Sequence, residues 1–408
     1  MPRLDASSFK LLHRTENSLL SQRTPAQTRK SQLASWYDSV EPIFIGKPVI
    51  TVVKLAKIAK SAKNADAYHL WPSRNNVTVG NLHESINIMR SNRRIRILLI
   101  VGVFLIAASV AYIQLFVVRP VGQGPAGPAV PAAPFAQTWS ERKIQFVGVG
   151  DSVTAGLGAD STDHSYFQRL LKNPLDEFEE MRGKSLSIIL PNVSAENFAI
   201  SGSASNQHLD VIQERIPTYP QDVYGIVVMT SGGNDLIHWY GRKPPQECAM
   251  YGASLEQARP WIDAYRVRLD QMLDTIETKF PGGCEIYLAD IYDPTDSVGD
   301  APSIFLPPWP DGLAIHAQYN QIIREICQQR DNVFHVPMYE AFLGHGSHCR
   351  QFWRPHYDRS DPHYWFHENV EDPNDRGYDA IRRLFLLEFL EHSTLNPEKS
   401  STAVESLE

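Results

Sequence analysis

The stretch "KIQFVGVGDSVTAGLG", residues 143–158, decides how the rest of the chain is read. Its first half is rich in β-branched and apolar residues and closes on glycine, the pattern of a buried strand feeding a tight turn. Ser152 stands just past that strand, where open parallel sheets bind ligands outside the carboxyl ends of their strands. Its hydroxyl either caps the helix that follows or serves as a nucleophile. Partners elsewhere in the chain must decide between the two.

From about residue 140 onward, strand patterns alternate with helical ones, which predicts a parallel sheet covered on both faces. The expected strands are "KIQFVGV", "NVSAENFAI", "YGIVVMT", "CEIYLADIY" and "NVFHVPM". Ile262, Tyr265, Leu269, Met272, Ile276 and Phe280 recur at helical spacing, so a helix is expected over about 260–280, with Pro260 in its first turn. "DPNDRGYDAIRRLFLLEFLEH" predicts the last helix, with Ile381, Leu384 and Phe385 on its buried side.

Charge divides the chain. Residues 1–96 hold 16 Lys+Arg against 6 Asp+Glu, and the remainder holds 23 against 40. Between the two lie 22 uncharged residues, 97–118, enough for a helix to cross a hydrocarbon core of roughly 30 Å. Arg90, Arg93, Arg94 and Arg96 precede this transmembrane helix and only Arg119 follows closely, so the N-terminus is expected in the cytoplasm and everything after the span outside it. Within the basic region, which reads as partly disordered, Lys54, Lys57, Lys60 and Lys63 suggest an amphipathic helix able to lie on anionic lipid. After the span, the Pro/Gly-rich residues 119–139 read as an extended stalk. A folded domain is expected over 140–393 and a disordered polar tail over 394–408. All four cysteines fall outside the membrane, as disulfides or as free buried thiols.

A nucleophilic serine needs donors aimed at the oxyanion that develops during acyl transfer. The second strand is followed by "SGSAS", with Gly202 offering a backbone N–H free of any Cβ, and the third by "SGGNDLIH", with the Asn234 amide. Three strand ends in order bearing Ser, Gly and Asn resemble the SGNH hydrolases, the GDSL esterase/lipase family, over roughly residues 143–392. The resemblance implies a three-layer α/β/α, flavodoxin-like fold with a parallel sheet, preceded here by one transmembrane helix. It also implies a nucleophile at Ser152, and an oxyanion hole from the N–H groups of Ser152 and Gly202 with the Asn234 amide.

The family's final block, Asp-x-x-His before the last helix, is altered: Asp372 stands where histidine would fall. The expected base is therefore His363 with Asp361 orienting it, and His367 is the alternative; Asp358 is a further carboxylate nearby. A zinc pair at His345 and His348 and a calcium loop through Asp290, Asp293, Asp296 and Asp300 are weaker readings, so no metal and no cofactor are expected. The implied activity is that of a membrane-anchored serine esterase acting outside the cytoplasm on O-acyl groups, acetyl foremost, of a polysaccharide. Its partners would be the acylated carbohydrate or another ester, and membrane lipid around the span. Rival readings are a lipid esterase, an O-acyltransferase and a non-catalytic envelope-binding protein. The acidic folded domain argues against nucleic acid.

Overall fold

The computed structural model describes residues 93–397. The lysine-rich helix expected near residues 54–63 and the end of the polar tail lie outside the described residues. Helix α1 (Arg93–Tyr112) runs into a π-helical turn, Ile113–Val117. Together they supply a stretch, Ile97–Val117, long and apolar enough to cross a membrane.

The folded part begins with β1 (Lys143–Val149), α2 (Ser152–Ala155), α3 (Tyr166–Leu171) and α4 (Leu186–Ile189). There follow β2 (Val193–Asn197), α5 (Ser205–Glu214), β3 (Val223–Thr230), α6 (Gly233–Ile237) and α7 (Leu255–Lys279). The chain continues through β4 (Cys284–Ala289), α8 (Gly312–Gln329), β5 (Val333–Val336), α9 (Met338–Phe342) and α10 (Asp375–His392). All strand pairs are parallel, in the order β2-β1-β3-β4-β5, the flavodoxin-like winding expected.

Successive residues of each central strand enter opposite cores. Phe146, Val228 and Tyr287 join one with Phe167 and Phe385, whereas Val147, Val227 and Ile286 join the other with Leu269 and Ile323. Both faces are buried, which is why these strands read as unbroken apolar runs. The strands β2 and β4 end earlier than their apolar letters suggest, because Phe198 and Ile291 belong to the turns that build the site. Helix α7 starts before residue 260, since Ser254 and Gln257 form a capping box. Pro260 therefore lies in the second turn.

The segment expected to be a stalk is laid across the domain. Ala126, Val130, Phe135 and Trp139 are buried in the first core. The Ala126 N–H donates to Asp379 at 2.9 Å, and Arg376 donates to the carbonyls of Gln123 and Gly124 at 2.8 and 2.9 Å. Proline and glycine kept the segment out of helix and strand, but its apolar residues and free carbonyls found partners on α10. The domain likewise runs past 393: Leu395 and Asn396 are buried, and the Thr394 N–H donates to Glu285 at 2.6 Å. All four cysteines are free thiols.

Candidate active site

Gly150 lets β1 turn tightly at the sheet's centre. Its φ is +138°, and a Cβ there would lie 2.4 Å from the Thr230 carbonyl oxygen. Asp151 is the N-cap of α2: its Oδ1 accepts from the Val153 N–H at 3.1 Å and from the Thr230 hydroxyl at 2.9 Å. The capping role thus belongs to Asp151, which leaves the Ser152 hydroxyl uncommitted to the helix end. Burial raises the Asp151 carboxyl above the usual range, against the Thr230 and Val153 hydrogen bonds.

Ser152 and Asn234 line one cavity between the ends of β1, β3 and β4. The Asn234 amide donates to the Ser203 carbonyl at 3.0 Å, which fixes the side chain and leaves its second N–H free to donate. Gly202, with φ +80°, is exposed in the turn just before Ser203 and does not line that cavity. Two groups missed in the sequence hold these turns together. His208 bridges the Ser203 and Ser231 hydroxyls at 2.9 and 3.0 Å, and burial pushes its imidazole down to about 4, so it serves as a neutral crosslink. Asp235, fully buried, accepts from the Ser205 N–H at 2.8 Å. A lone helical histidine and the aspartate of "GGND" carry no spacing signal for these contacts.

The loop before α10 brings up carboxylates rather than an imidazole. Phe366 and Pro373 form an antiparallel bridge, and the His367 N–H donates to the Asp372 carbonyl at 2.7 Å. That turn presents Glu371 to the cavity and Asp372 to Ser152. Asp372 is 1% exposed, and its Oδ2 accepts from the Asn369 amide at 2.6 Å. Its Oδ1 is buried without a hydrogen-bond partner. Burial pushes the Asp372 carboxyl up to about 6, opposed by the Ser152 and Asn369 side chains and reinforced by the Asp151 charge. Glu371 is pushed up to about 7 by burial and by Asp372, with the Tyr240 hydroxyl donating to it.

Neither histidine expected as base lines the Ser152 cavity. His363 pairs with Asp361 through Nδ1 at 2.5 Å, and Asp361 also holds Arg376 and, at 3.2 Å, the Trp365 indole. This cluster lines a separate cavity beside residues 123–130, with Asp358 at the same rim. His367 lines neither cavity, and a side chain at Gly158 would meet its Cβ at 3.0 Å. His345 stacks on Trp365 with 3.5 Å between ring centroids, while His348 pairs with Asp300 at 2.8 Å. Among the described residues no group of three or more His, Cys, Asp or Glu is arranged to hold a metal ion. Asp296 accepts backbone N–H groups from Gly344, Gly346 and His348, so it is a structural anchor.

The walls of the Ser152 cavity are largely apolar, with Ile237, Ile291, Tyr292, Ile304, Leu306 and Leu313 among them. A serine and a free amide N–H at the carboxyl edge of a parallel sheet, opening on an apolar cavity, have the layout of acyl-transfer chemistry. The GDSL-like Lipase/Acylhydrolase family profile matches residues 149–380, more than half of the chain, and the chain belongs to this family. It is accordingly a serine ester hydrolase. No curated protein matches the sequence. Among solved structures, a lipase from a goat rumen metagenome shares 17% identity at TM-score 0.39, covering 62% of this chain and 99% of its own. A G-D-S-L family protein from Veillonella parvula shares 13% identity at TM-score 0.37, covering 62% and 98%. A variant of an acetylxylan esterase from Geobacillus stearothermophilus shares 16% identity at TM-score 0.39, covering 62% and 96%.

Proposed function

We propose that this protein is a membrane-anchored hydrolase that uses Ser152 to cleave esters with an apolar acyl chain on the outer side of the membrane. One observation carries the reading: Ser152 and the Asn234 amide border the same apolar cavity. Ser152 attacks the ester carbonyl, the Asn234 amide and the backbone N–H of Ser152 receive the oxyanion, and the acyl chain occupies the space between Ile291 and Leu306. An acetyl group would leave those walls unfilled, so the acyl specificity shifts from acetyl toward longer chains.

The span Ile97–Val117 supplies the anchor, and the arginines before it keep the N-terminus in the cytoplasm. Contacts at the span's outer end support a domain seated close to the bilayer. The Phe116 ring lies 5.9 Å from that of Trp353, and Arg119 donates to the Ser303 carbonyl beside the exposed Phe305. Aromatic rings at such a level suit the interface between headgroups and acyl chains.

The test is a series of chromogenic esters, from acetate to decanoate, with the full chain in detergent micelles and Ser152→Ala as blank. The reading expects Ser152-dependent turnover that rises from acetate to octanoate. A preference for acetate would return the assignment to short O-acyl groups on glycans, and equal turnover by Ser152→Ala would remove the serine mechanism.

A further inference from the structure

A nucleophilic Ser152 needs a group that takes its proton; neither expected histidine lines the serine's cavity, whereas Asn369, Val370 and Glu371 do, and Asp372 follows them directly in the chain. We propose that the Asp372 carboxylate is that group: it acts as the general base toward Ser152, with Asn369 as the positioning residue behind it. The inference rests on Ser152 being the nucleophile, and it replaces a histidine base by a carboxylate.

Three observations point to Asp372. Its carboxylate is buried beside the Ser152 hydroxyl. One oxygen is held at 2.6 Å by Asn369, and the other is buried with no hydrogen-bond partner, so an acceptor site stays open. Asn369 precedes Asp372 by three residues, so the orienting group and the proton acceptor keep the spacing of an Asp-x-x-His block with both side chains exchanged. Glu371 also borders the cavity, but the Tyr240 hydroxyl and the Asn369 amide occupy its two oxygens.

The step balances without any added reagent. As Oγ of Ser152 bonds to the ester carbonyl carbon, its proton passes to Asp372 and the carbonyl electron pair moves onto oxygen. Collapse of that intermediate breaks the bond to the alcohol, which leaves with the proton from the Asp372 carboxylic acid. A water then gives a proton to the Asp372 carboxylate as it attacks the acyl carbon. The same proton returns to Oγ of Ser152 when the acid departs.

An ordinary carboxylate is a weak base for this work, and catalytic groups serve best with a pKa near the working pH. Here burial lifts Asp372 to about 6. The groups facing it are Asp151 from the serine turn, Glu371 and Asn369 from its own loop, Tyr240 from the turn after α6, Tyr292 from beyond the end of β4, and Tyr378 from α10. Among these no cation offsets the buried acids.

The experiment compares the unmodified full chain, Ser152→Ala, Asp372→Asn and the double variant His363→Ala/His367→Ala, all in detergent micelles. The readouts are kcat/KM for a chromogenic octanoate from pH 4.5 to 9 and the rate at which a fluorophosphonate labels Ser152. Asp372→Asn should lose on the order of 10³-fold in kcat/KM and slow labelling by a similar factor, as removal of a general base does. The double histidine variant should keep the activity and the fall below about pH 6. Should Asp372→Asn fail to fold, that double variant still decides, because loss of the acidic limb with the histidines returns the role to an imidazole. Ser152-dependent activity that survives Asp372→Asn overturns the proposal and leaves the hydrolase standing. Absence of Ser152-dependent turnover and labelling in the unmodified protein overturns both.

Discussion

The Asn369 side chain donates to the Asp372 carboxylate at 2.6 Å, across a single turn of loop that ends beside Ser152. The pair does for a carboxylate what an aspartate does for a histidine elsewhere in the family. It fixes the proton acceptor's orientation and leaves one edge for the nucleophile. The contact is uncharged on one side, so it positions Asp372 without holding its carboxyl in the ionised state as firmly as a cation would.

In the proposed mechanism Asn234 is the side-chain donor to the oxyanion, and it is already anchored on the Ser203 carbonyl at 3.0 Å. Asn234→Ala should lower kcat by about 10²-fold with little change in KM, since the lost hydrogen bond forms only as charge develops on the substrate oxygen. Steady-state kinetics on the octanoate ester checks it. A rise in KM alone would mark Asn234 as a ground-state binding residue.

His363 sits in the cluster with Asp361 and Arg376 beside residues 123–130, away from the serine's cavity. His363→Ala should keep turnover within about threefold of the unmodified protein and cost about 1 kcal/mol of stability, the loss of a partly buried charge-assisted contact. Parallel activity and thermal-melt measurements separate this from a catalytic role.

The buried acids give stability a pH dependence of known sign. Burial lifts the Glu371 and Asp372 carboxyls to about 7 and about 6, whereas an unfolded chain releases those protons near pH 4. Between about pH 4 and 7 the folded state therefore holds more protons, and stability falls as pH rises through that window. Asp372→Asn removes its part of the cost. Its melting temperature should exceed that of the unmodified chain at pH 8, by a stability gain on the order of 2 kcal/mol, and the difference should narrow at pH 5.

Arg382 is fully buried and spans Glu177, at 2.6 and 2.9 Å, and Asp379, at 2.5 and 3.0 Å. Asp379 in turn receives the Ala126 N–H that straps residues 119–139 to α10. Arg382→Ala should cost about 3–5 kcal/mol, because Glu177 loses its bidentate cation in the interior while Asp379 keeps only Arg383 and Arg169. Limited proteolysis should then cut first near residues 123–130.

The sheet was readable from the letters because its central strands are buried on both faces, and five apolar runs separated by helical patterns admit few other arrangements. β1 falls at the residues expected of it, and β3 within one residue. The letters put Ser152 just past the first strand but left a capping role open, and in the structure that role falls to Asp151. The expected stalk failed for a physical reason: proline and glycine exclude helix and strand but do not prevent an irregular segment from giving Phe135 and Trp139 to the core and its carbonyls to Arg376. Local spacing determined which residues lie at the strand ends. Which acidic or imidazole group meets Ser152 depends on the path of residues 361–374. That path is set by the bridge between Phe366 and Pro373 and by Asn374, which caps α10 and donates to the Tyr364 and Phe366 carbonyls. Those contacts join residues eight or ten apart through the loop's three-dimensional course, so the sequence placed Ser152 at a strand end and only the tertiary structure chose its neighbours.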